Sequence, residues 1–63
     1  MNTQKMIEYE KELYALSEEA ERLVKQMKQT GDEDVRWAIR QKLKPIDRRR
    51  LELYELMDAL RGE

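Results

Sequence analysis

Thr30-Gly31-Asp32-Glu33-Asp34 lies near the middle of a 63-residue chain that otherwise contains almost no turn-forming residues. Gly31 can take the left-handed conformation that ends many helices. Asp32 can cap a following helix, and Glu33 and Asp34 would meet the positive end of that helix's dipole. Thr30 with Glu33 can form a capping box instead. Both readings predict a tight helix–helix turn at 30–33.

Working back from the turn, the apolar residues fall at Met6, Tyr9, Leu13, Leu16, Ala20, Leu23 and Met27, with alternating steps of 3 and 4. This is an unbroken heptad seam. It predicts a helix over about 3–29, with Asn2 or Thr3 accepting a hydrogen bond from the first free amides. Working forward, Ile39, Leu43, Ile46, Arg50, Leu53, Met57 and Leu60 repeat the spacing, which predicts a second helix over about 34–61.

Folding the chain back at Gly31 tests one seam against the other. Facing residues in an antiparallel pair have numbers that add to a nearly constant value. Leu23 meets Ile39, Ala20 meets Leu43, Leu16 meets Ile46, Leu13 meets Arg50, Tyr9 meets Leu53, and Met6 meets Met57. The fold class expected is therefore all-α, an antiparallel helical hairpin with heptad seams.

Pro45 opposes a continuous second helix, because it removes one hydrogen bond and clashes with the preceding turn at a cost of about 3 kcal/mol. The heptad phase crosses it without a skip, which favours a helix kinked at Pro45. A three-helix arrangement broken there is the alternative.

A chain this short buries too little surface for comfortable stability and commonly relies on disulfides, metals or oligomerisation. It has no cysteine and no histidine, which excludes disulfides, thiolate zinc sites and the usual acid–base group near neutral pH. Oligomerisation remains. Two hairpins packed together would form a four-helix bundle with helices about 20° from antiparallel. Ile7 and Tyr14 beside the first seam, and Leu51, Tyr54 and Leu56 beside or behind the second, make a wider apolar arc than one hairpin covers. The candidate interface is Met6, Ile7, Tyr9, Leu13, Tyr14, Leu16, Leu51, Leu53, Tyr54 and Met57, facing a second copy or a larger protein partner.

In outline the chain resembles the Rop type of plasmid copy-control protein, a short helical hairpin that dimerises into a four-helix bundle and binds paired RNA loops. The likeness lies in chain length, turn position and layered seams, with no residue motif to carry over. It implies dimerisation and RNA binding. That family builds its RNA face mainly from the first helices, whereas the first helix here is acidic.

Net charge is −1, but the charges are sorted. Residues 36–50 hold seven bases and one acid, Asp47, between two acidic stretches. Trp37, Arg40, Lys44 and Arg48 share a helical stripe off the seam, where basic groups with an aromatic among them suit a phosphate backbone. The competing reading sets Glu12, Glu18, Glu19 and Glu21 opposite the basic stretch after fold-back, so that acids and bases answer each other and select register.

Trp37 is expected to fold over the hairpin end against Val24 or Met27, unless it anchors a partner. Arg50 is expected to pack its stem in the seam, with its guanidinium reaching water or Glu12. Met6, Met27 and Met57 read as core filler, and Tyr9 as a packed ring. Ser17 has no histidine to activate it, and the glutamates lie on exposed faces. No catalytic residue, metal site or cofactor is expected.

The opening MNTQKMIEYEKE carries charges where a signal peptide needs an apolar stretch. No apolar run approaches the roughly 20 residues of a membrane span. The expectation is a cytoplasmic, non-enzymatic interaction or regulatory protein acting through helix–helix association. The alternatives are a nucleic-acid binder and a purely structural or designed bundle.

Overall fold

A computed structural model describes residues 3–62. Among them are two helices and no strand: α1, Thr3–Gln29, and α2, Glu33–Arg61. They lie alongside each other as a hairpin whose Cα envelope measures 48 × 14 × 11 Å. Asn2, one of the two expected caps of α1, falls outside the described residues.

The turn reverses the chain by a different device from the one glycine suggested. No described residue has a positive φ, so Gly31 does not adopt the left-handed conformation. Side chains satisfy the free amides instead. Thr30 Oγ1 accepts from the Asp32 amide at 3.2 Å, and Asp32 Oδ1 accepts from the Asp34 amide at 2.9 Å. Asp32 is the N-cap, in extended backbone geometry, and its carbonyl accepts the Arg36 amide at 3.0 Å. Glu33 already belongs to α2, one residue earlier than the spacing suggested, and with Asp34 it puts negative charge at the helix N-terminus. Arg61 sits in the last turn, where a cation is favourable.

α2 runs unbroken through Pro45, which excludes the three-helix arrangement. Pro45 has no amide hydrogen to offer the Gln41 carbonyl. Stopping the helix there would instead have turned Ile46, Leu53 and Met57 away from α1. All three are buried or half-buried. Each fully buried aliphatic side chain contributes about 1.5–3 kcal/mol, so the continuing seam outweighs one lost hydrogen bond.

Every seam position is buried or half-buried. Ala20, Leu23 and Ile39 form a buried cluster toward the turn, and Leu53 and Met57 a second one toward the termini. Among the described residues, Leu53 is the one large side chain sealed completely, at 0% exposure. Between the clusters, Leu13, Leu16, Leu43, Ile46 and Arg50 are only half-buried. Met6, Tyr9, Met27 and Leu60 at the ends of the seam are half-buried too, so two helices leave much of the seam partly open and only the waist without a buried side chain.

Candidate interaction face

Helical phase divides the exposed surface into two broad faces. A residue just after a seam position is rotated by about 100°. In an antiparallel pair, the residues that follow the seam on both helices project to one side, and those that precede it to the other.

The preceding side is polar. Arg49 Nε donates to Glu12 Oε2 at 2.6 Å, and Arg49 Nη2 donates to Glu12 Oε1 at 3.1 Å. Arg49 Nη1 donates to Glu52 Oε2 at 3.1 Å. This is a bidentate clasp between the helices, with Glu52 steadying the guanidinium. Glu12 and Arg49 each stand one residue before the facing pair Leu13 and Arg50, where the fold-back register puts a flanking contact. The hydrogen bonds from Arg49 hold the Glu12 carboxyl below its ordinary range, against a lesser opposing effect of desolvation. The bonds to Glu12 and Glu52 in turn raise the pKa of the Arg49 guanidinium. A lowered carboxyl stabilises the fold above the unfolded value, about 4.3. That contribution disappears as pH falls through the lower folded value.

The following side is apolar at intervals. Of the seven exposed large apolar residues, five lie there: Ile7, Tyr14, Trp37, Leu51 and Tyr54. Val35 and Leu56 belong to the other side. An open depression along α1 is lined by Tyr14, Ala20 and Val24 together with the charged Glu18, Glu21, Lys25 and Lys28, and Arg50 reaches it from α2. Tyr14 is 69% exposed and Trp37 62%.

Several sequence expectations change here. Trp37 does not fold over the hairpin end. It follows Arg36, a continuation of the seam, and so rotates outward onto the apolar face. Arg50 does not reach Glu12, which Arg49 occupies. Its Nη1 meets Asp47 Oδ1 at 3.5 Å, and its Nε is buried without a partner. Of the acids set against the basic stretch, Glu12 alone has an ion pair with α2 among the described residues. Glu18, Glu19 and Glu21 have none. Leu53 and Met57 are sealed inside the hairpin and present no surface to a partner. Met6, Tyr9, Leu13 and Leu16 are half-buried. Ile7, Tyr14, Leu51 and Tyr54 are the open members of the candidate interface.

The bases also separate. Arg36, Arg49, Arg50 and Arg61 each hold an acid of their own helix within 4 Å. Arg40, Lys44 and Arg48 of the polyanion stripe have no such partner among the described residues. Arg49 had not been singled out beforehand. Its signal was positional, since it flanks the seam at the level of a flanking glutamate.

No family model, curated protein or solved structure matches the chain. The outline shared with Rop-type proteins is thus a likeness of length and layout. Among the described residues, no helix is long and apolar enough to cross a membrane.

Proposed function

We propose that this chain is an association module: a non-enzymatic hairpin that pairs with a second copy through its apolar face to form a four-helix bundle. The observation that carries this reading is the one-sidedness of the exposed residues. Ile7, Tyr14, Trp37, Leu51 and Tyr54 share a face, while the cross-helix clasp occupies the other. Solvated surfaces scatter large apolar side chains singly, whereas a concentrated patch marks a binding site. The half-buried waist fits the same reading, because a second hairpin would cover what the first leaves open.

Pro45 precedes Ile46 of the seam, on the side away from the apolar face. A proline ring crowds the carbonyl four residues back, here that of Gln41, and a helix with an internal proline bends away from that side. We take the resulting bend to be concave toward the apolar face, curving the helix around its partner.

The test is solution mass by light scattering, on the parent chain and on the double variant Tyr14→Glu with Tyr54→Glu. Both rings are exposed in the hairpin, so the variant keeps its helicity by circular dichroism. The parent is expected at twice the chain mass and the variant at the chain mass. A dimeric variant would remove this face from the reading.

A second reading, a polyanion surface, draws on Trp37, Arg40, Lys44 and Arg48, an exposed aromatic among bases without an acid. It predicts RNA or DNA binding that weakens steeply with salt, and a shallower salt slope after Arg40→Ala with Lys44→Ala. Absence of binding at about 50 mM salt would eliminate it.

A further inference from the structure

We infer that the second copy docks with its turn at the same end, so that each α1 lies over the α2 of the other copy. This orientation rests on the association reading above. Two hairpins meeting through the same face are related by a two-fold axis in the plane between them. If the axis runs along the helices, α1 stacks on the second copy's α2 and both turns share one end. If it runs across them, each helix stacks on its own copy and the turns lie at opposite ends.

The residues on the face distinguish these arrangements. With the axis along the helices, every residue keeps its level. The fold-back register already aligns α1 with α2, so it also sets which groups meet between copies. Ile7 then faces Tyr54 of the second copy, Tyr14 lies between Leu51 and Asp47, Glu10 lies between Leu51 and Tyr54, and Val24 faces Trp37. Between these apolar levels, Glu21 faces Arg40 and Lys44. Those three charged groups have no ion-pair partner in their own hairpin. Arg36, Arg49 and Arg50, by contrast, are already paired within their own helix. Glu21 is thus complementary to Arg40 and Lys44 across this interface.

With the axis across the helices, the levels are reversed. Lys44 then falls near Leu51, Arg40 near Tyr54, and Glu21 near Glu10 and Tyr14. Bases lie over apolar groups and acid approaches acid, which costs affinity where charges lose water. Centred on the hairpin, the reversed arrangement sets Glu21 against Glu10, whereas the same-end arrangement sets it against Arg40 and Lys44. The Cα envelope of 48 × 14 Å across this face, widened by side chains, suits a standard interface of about 800 Å² per partner.

The turn supplies the probe. A Cβ at Gly31 meets nothing within 4 Å and the backbone there has no positive φ, so Gly31→Cys carries a spin label without strain. The chain has no other cysteine. Pulsed dipolar spectroscopy on the labelled chain is expected to give distances within about 25 Å, a few helix spacings of 8–10 Å. Gly62→Cys, at the other end, is expected to give a similarly short distance. A dimeric mass with label distances near the 48 Å length of the hairpin would overturn the orientation and leave the association reading standing. A monomeric mass for the parent chain would overturn both.

Discussion

Leu53→Ala is expected to abolish the cooperative thermal transition of this chain or to lower its midpoint by more than 10 °C. Leu53 is fully enclosed, and truncating a buried leucine to alanine costs about 2–5 kcal/mol. A core in a domain of this size rarely supplies more than about 3–5 kcal/mol in total, so the loss is of the order of the whole margin. In a domain of 60–100 residues, each 1 kcal/mol shifts the midpoint by about 4–8 °C. The companion Leu51→Ala removes the same atoms from a side chain that is 60% exposed. It leaves the intrinsic helicity intact and acts on self-association. Melting curves at a fixed chain concentration check both, since association makes the midpoint concentration-dependent. Equal shifts for the two variants would mean that Leu53 is not the keystone of the terminal cluster.

Pro45→Ala carries the opposite sign. Proline inside a helix is about 3 kcal/mol less favourable than alanine, and Pro45 is exposed and so loses no buried packing. The variant also frees the unfolded chain, which offsets about 0.4–1 kcal/mol of the gain. A net stabilisation of about 2 kcal/mol follows, with a midpoint higher by roughly 8–16 °C. Denaturant titration by circular dichroism measures it. A lower midpoint would show that proline at position 45 contributes more to assembly than alanine gains in the helix.

Periodicity made the fold legible because burial acts on every turn of a long helix. Six facing pairs of seam residues agree on one register, and the Glu12–Arg49 clasp lies where that register puts a flanking pair. Local details were harder to read because competing solutions there have similar energies. The free amides of the turn could be satisfied by a left-handed glycine or by the Thr30 and Asp32 side chains, and the side chains prevailed. Trp37 stands one position off the seam, where its ring can fold over the hairpin end or turn to solvent, and it turns to solvent. Arg49 and Arg50 are adjacent bases with equal charge, and only the flanking position of Arg49 brings it within reach of Glu12. The interaction face was partly legible from Ile7, Tyr14, Leu51 and Tyr54. Its one-sidedness emerged only when both helices were oriented together.

The waist of the hairpin, between the Ala20–Leu23–Ile39 cluster and the Leu53–Met57 cluster, holds no fully buried side chain. A slender rod yields first at its softest section. Here that section carries both Pro45, which breaks one rung of the backbone ladder, and Arg50, whose buried Nε lacks an acceptor. Were the proposed pairing to impose curvature, mid-length is where the ladder would give way first.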